Sequence, residues 1–192
     1  MAGAFLKIKA GICKKKYIFC INRLSLSVKC IIFAPNYKYI AMQVTPYKFA
    51  NITTRPFLTL NDLNNKWIFT GNTKHVIDVC MHREPKVIEA IKSKGATFDW
   101  FPTDERPMAL EMVLQAVVKL AEYDQDGSHI IVHCMHGNNR SRTVVEAYHF
   151  AKLGFHFEDE YKGSKNHLIW NCEQGYLPPL SEMEQLLKKF AK

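Results

Sequence analysis

The stretch 132-VHCMHGNNRSRT-143 decides how this chain is read. An apolar run, 129-HIIVH-133, ends at Cys134; Arg140 follows six positions later, with Gly137 between them and Ser141 behind. The run predicts a strand. Residues 141–153 carry Val144, Ala147, Tyr148 and Ala151 on one stripe and stop at Gly154, which predicts a helix. A strand, a glycine-containing turn and a helix N-terminus together leave a ring of backbone N–H groups without carbonyl partners. That nest, with the positive end of the helix dipole, attracts anions. A thiol in such a field loses its proton more readily, so Cys134 is expected to be a thiolate near neutrality. Gly137 permits a backbone turn that a side chain would obstruct.

The guanidinium of Arg140 can fold back over the nest and match two phosphate oxygens with its planar fork, as lysine cannot. The phosphate is then held by Arg140 and the loop amides of Met135, His136, Gly137, Asn138 and Asn139, with sulfur opposite the departing group. This is nucleophilic catalysis of phosphoryl transfer. It needs an acid for the leaving oxygen and later a base for water. The stretch 98-FDWFPTDERP-107 offers Asp104 on a proline-flanked turn; Glu105 is the nearer rival, and Asp99 falls inside a strand pattern. Ser141 is placed to donate to the sulfur and make it a better leaving group. His129, His133 and His136 beside Cys134 lack the spacing of metal ligands, and the polar turn MHGNNRS fits poorly with a merely packed cysteine.

Outward from this stretch, 67-WIFTG-71, 75-HVIDVC-80 and 97-TFDWF-101 also read as strands. Helices are expected over 84–95, over 108–124 and over 181–190, the last opening on a capping box from Ser181 to Glu184. Trp67, Trp100 and Trp170 are expected in the core or in pocket walls. Strands alternating with helices argue for a three-layer α/β sandwich around a mainly parallel central sheet, with chemistry beyond the carboxyl ends of the strands.

The charge is unevenly spread. Residues 1–61 hold ten basic residues and no acid, whereas the remainder holds sixteen basic residues against eighteen acids. The reading is a basic N-terminal extension, 1–41, as a mis-start before Met42, a binding arm or a targeting segment, followed by a catalytic domain over 42–192. No apolar run is long enough to span a membrane; the nearest, 17–35, is broken by Arg23 and Lys29. The six cysteines show neither a C-x-x-C pair nor zinc spacing, and no secretion signal fits. Free thiols in the cytoplasm are expected.

The segment VHCMHGNNRS resembles the H-C-x5-R-S/T signature of the cysteine-dependent phosphatases, in particular the small dual-specificity type. The likeness runs from about Trp67 to the C-terminus, including the acid loop and 172-CEQGYLPPLSEMEQL-186. It implies a tyrosine-phosphatase-like fold, Cys134 as nucleophile, Arg140 as phosphate clamp, Asp104 as general acid, His133 in support, and neither metal nor cofactor. Low-molecular-weight tyrosine phosphatases place this loop near the N-terminus, whereas only 58 residues follow Cys134 here.

The implied substrate is phosphotyrosine and phosphoserine or phosphothreonine in proteins. Phosphoinositide phosphatases carry loop lysines where this chain has Met135 and Asn138. RNA 5′-triphosphatases share His136, Gly137, Asn139 and Arg140, and the basic first third suits RNA, but Arg142 replaces their glycine. An inactive phosphate-binding module is a further alternative; such proteins usually lack the cysteine, the arginine or the acid. Arg142, if exposed at the rim, would engage a second acidic group. Cys80 sits where several relatives carry a cysteine that forms a disulfide with the nucleophile on oxidation. The sequence sets no oligomeric state.

Overall fold

The computed structural model describes residues 51–156 and 166–190, all within the unit Gln43–Lys192. The run HIIVH forms β4 (His129–His133), between β1 (Ile52–Arg55) and β2 (Thr73–Asp78), with β3 (Thr97–Trp100) beyond β2. Every pairing is parallel. A parallel strand flanked on both sides and covered on both faces is apolar along its length, which is why this run does not alternate.

Successive side chains still point to opposite faces, and that sorts the helices into two layers. Ile130 and Val132, with Ile52 and Ile77, pack on α3 (Leu110–Tyr123), α4 (Arg140–Leu153), α5 (His167–Glu173) and α6 (Leu180–Lys188). Ile131 and Val76 turn the other way, onto α1 (Leu60–Asn64) and α2 (Pro85–Ser93), meeting Leu63, Val87 and Ile91. Each fully buried isoleucine contributes on the order of 1.5–3 kcal/mol. The three-layer α/β sandwich expected from the sequence is the fold, and the sheet is parallel throughout.

Buried on almost every side, α4 touches α3, α5, α6 and β1. It ends where Gly154, at φ +73°, returns its amide to Phe150 O at 2.7 Å. In register, Arg55, His133, Asp78 and Trp100 line the carboxyl edge of the sheet. The chain therefore leaves β4 from the middle of that edge straight into the segment 134–140.

Three local expectations are corrected. Residues 67–71 are a turn, because Asn65 draws the backbone round: its carbonyl accepts from Ile68 and Phe69, and its side chain accepts the Trp67 amide at 3.0 Å. Trp67 is 81% exposed as a result, not core. The strand in that part of the chain is 52-ITTR-55, whose single isoleucine and following Pro56 hide it. Helix α6 starts from Pro179, whose carbonyl takes the amides of Glu182 and Met183; Ser181 caps nothing. Among the described residues no helix is long and apolar enough to cross a membrane.

Candidate active site

Cys134 follows β4 directly and is 2% exposed, its amide bonded to Arg55 O at 3.3 Å. The segment 134–139 then curls back over its own sulfur. Gly137 donates its N–H to Sγ at 3.2 Å, and Ser141 Oγ lies 3.4 Å away on the opening turn of α4. Gly137 has φ +72°, and a Cβ there would lie 2.6 Å from Arg55 C and Pro56 N. Both are backbone atoms that cannot step aside, so glycine is required by conformation and by space. Phe57 N–H bonds Met135 O at 3.3 Å and fastens the near side of the loop to the chain after β1.

The side chains sort by depth. Met135, His136 and Asn138 are exposed, Asn139 is half-buried, and Gly137, Arg140 and Ser141 are buried. Exposed side chains on a loop whose glycine amide turns inward make a cradle of main chain. It opens at the N-terminus of a 14-residue helix, where orphan amides and the dipole favour an anion. Asn139 precedes that helix. Its carbonyl takes the Thr143 amide and hydroxyl, and its Oδ1 takes the Asn171 amide nitrogen at 2.7 Å. Asn171, fully buried on α5, also reaches Thr143 Oγ1 at 2.8 Å and His167 O at 2.7 Å.

Arg140 joins the cradle to the acid loop. Its Nη1 donates to Thr103 O at 3.0 Å, one residue before Asp104. Thr103 is buried, and its hydroxyl accepts the Ala109 amide. Met108 N–H bonds Tyr176 O at 2.9 Å, and the Arg106 guanidinium lies 5.5 Å from the Tyr176 ring and 5.8 Å from that of Trp170. The loop is thus pinned at both ends, with Asp104 and Glu105 exposed between the pins. Asp99 is already engaged, since its carboxylate accepts from the Tyr123 hydroxyl. Trp170 is half-buried beside this loop. Arg142 does not stand free at the rim: it faces Glu146 at 3.9 Å, and Glu146 also accepts the Leu168 amide.

Behind the cradle, His133 is 2% exposed, and burial pushes its imidazole down to about 3, so it is neutral. Cys80 and Cys134 are both buried free thiols. Cys80 donates its amide to Asp78 Oδ1 at 2.8 Å and accepts Trp100 Nε1 at 2.7 Å on its carbonyl. Among the described residues no three His, Cys, Asp or Glu side chains gather in a metal-holding group.

No family model matches the chain, and no curated protein matches it. Solved structures do. A mutant form of Tk-PTP aligns over 76% of this chain and 93% of its own, at 16% identity and a TM-score of 0.50. A DUF442-type candidate phosphatase from Shewanella putrefaciens CN-32 aligns over 78% and 90%, at 13% identity and a TM-score of 0.51. The chain has the tyrosine-phosphatase-like fold.

Within that fold, sequence reasoning missed the parts that build the cradle from outside its own segment. Thr103, Asn171 and the Arg55–Pro56 wall carry no motif. Thr103 stood next to a named acid, and a buried asparagine in an otherwise apolar helix face, 168-LIWNC-172, was a signal that could have been read.

Proposed function

We propose that the chain is a metal-independent phosphatase that hydrolyses phosphotyrosine and phosphoserine or phosphothreonine in proteins through a cysteinyl-phosphate intermediate. The observation that carries this reading is the sulfur of Cys134, met by the Gly137 amide at 3.2 Å and Ser141 Oγ at 3.4 Å at the mouth of α4, with Arg140 bonded across to the acid loop. The solved structures of similar fold, named as phosphatases, add support.

In the first step Sγ, as thiolate, attacks phosphorus and the bond from phosphorus to the ester oxygen breaks. Asp104, protonated, gives its proton to that oxygen as it leaves. The three equatorial oxygens rest on the loop amides and Arg140, where fixed donors meet charge that is developing. In the second step water attacks the phosphorus, Asp104 takes its proton, and the sulfur–phosphorus bond breaks. Ser141 then donates to the departing sulfur. Inorganic phosphate is the product.

A second reading, removal of a 5′-terminal phosphate from RNA, draws on the loop residues His136, Gly137, Asn139 and Arg140 and on the basic residues of 1–61. Turnover of a phosphotyrosyl peptide and of 5′-triphosphate RNA, measured side by side in EDTA, separates the two; the peptide is expected to turn over faster. A burst of p-nitrophenol equal to the enzyme concentration distinguishes an enzyme from a phosphate-binding module. Absence of the burst together with absence of turnover would overturn the reading.

A further inference from the structure

Asp78 takes no part in the chemistry above, yet its place is unusual. It ends β2 in register with His133 on one side and Trp100 on the other, and is 1% exposed. Oδ1 accepts the Cys80 amide at 2.8 Å and lies 3.5 Å from Nδ1 of His133, the residue before the nucleophile. Because His133 is neutral, that contact is not an ion pair. Both His133 nitrogens otherwise lack a hydrogen-bond partner among the described residues. A carboxyl has been enclosed directly behind the phosphate cradle.

We propose that Asp78 is a positioning residue of the cradle, holding the Cys80 turn beside His133, and that by gaining or losing a proton it sets how positive the surroundings of Cys134 and Arg140 are. This deepens the phosphatase reading and rests on it. The groups facing Asp78 define the effect. β4 contributes His133 and, next to it, Cys134. The guanidinium of Arg140 comes from α4. The turn after β2 contributes Cys80 and Arg83. β3 contributes Trp100, which does not titrate and holds Arg83 over its ring at 3.8 Å.

Burial pushes the Asp78 carboxyl up to about 7, against the opposing pull of the Cys80 amide and the charges of Arg140 and Arg83. Below that pH Asp78 is neutral, and the positive field of Arg140 acts undiminished on sulfur and phosphate. Above it, a negative charge behind the cradle opposes the thiolate and competes with phosphoryl oxygens for Arg140. Linkage runs both ways: an anion seated on Arg140 raises the proton affinity of Asp78, so anion binding near pH 7 takes up protons.

Asp78→Asn keeps an acceptor for Cys80 and cannot ionise. In the full chain, kcat/KM for p-nitrophenyl phosphate and the rate of Cys134 alkylation by iodoacetamide are followed from pH 5 to 9. The wild type is expected to lose kcat/KM as pH rises through about 7. The variant is expected to lack that fall and to exceed the wild type roughly tenfold at pH 8. Its alkylation profile should shift to lower pH. Superimposable profiles would overturn the proposal.

If Asp78→Asn does not fold, calorimetry on Cys134→Ser with sulfate decides, in two buffers of different ionisation enthalpy at pH 7. Uptake of a fraction of a proton is expected, and none would overturn the proposal. An enzyme without turnover whose alkylation profiles still differ would refute the phosphatase reading and leave the role of Asp78 standing.

Discussion

The two edges of the sheet are built from similar residues and treated in opposite ways. At the amino edge, both ring nitrogens of His129 are met by the hydroxyls of Thr53 and Thr73, at 2.9 and 2.8 Å. His75 is closed in the same manner by Thr97 and Asp126, with its ring stacked on Tyr123 at 3.7 Å. At the carboxyl edge, Arg55 Nε, Asn139 Nδ2 and both nitrogens of His133 are buried with no hydrogen-bond partner among the described residues. Burial lowers the proton affinity of both histidines, and that of His133 further, to about 3. The two amino-edge histidines spend their ring nitrogens on cohesion, although Ser128 Oγ beside them is buried without a partner among the described residues, whereas both nitrogens of His133 at the carboxyl edge are left unmet. An unmet buried polar group costs about 1–3 kcal/mol, so the carboxyl edge beside the Cys134 loop carries an expense of stability.

That contrast can be broken or sharpened by mutation. The largest effect is expected from Gly137→Ala, whose methyl collides with the Arg55–Pro56 backbone at 2.6 Å. Turnover and vanadate binding should both vanish, and a variant that binds vanadate normally would show that the cradle is not held as described. Arg140→Lys removes the planar fork and should cost roughly 10²–10³-fold in kcat, by analogy with losing an oxyanion donor. Steady-state kinetics with an aryl phosphate would reveal it. Asp104→Asn should slow phosphothreonyl peptides by about 10²-fold or more while sparing activated aryl esters; an equal loss on both would transfer the acid role elsewhere, with Glu105 next in line. Smallest is Thr53→Val at the opposite edge, which strands His129 Nε2. It should lower the urea-unfolding free energy by about 1–3 kcal/mol and leave kcat per folded molecule untouched. A catalytic loss there would erase the distinction between the edges.

The sequence made legible what depends on local pattern. 129-HIIVH-133 spans β4 to the residue, and 134–141 announced the strand–turn–helix unit because glycine, arginine and serine each answer a local demand. β1 was hidden because Thr53, Thr54 and Arg55 earn their place through β4 alongside, which no short-range period encodes. WIFTG misled for the converse reason: its short apolar run suited a strand, but Asn65 had already turned the chain. The same limit applies to the site. Cys134, Arg140 and Asp104 stood out as candidates from local pattern, whereas Thr103 and Asn171 meet the 134–140 segment only through tertiary contacts 37 and 32 residues away in sequence. Asp78 read as one more strand residue, since only burial makes its carboxyl unusual.

The bond from Arg140 Nη1 to Thr103 O has a consequence for how mutations combine. A guanidinium carries five N–H donors, so it can keep hold of Thr103 while two others face an incoming anion. Removing it would untether the acid loop as well as loosen the anion. Substitutions at 140 and 104 should therefore not be independent: once the arginine is gone, most of the penalty for losing the aspartate has already been incurred, and a thermodynamic cycle across the pair should register a large interaction energy.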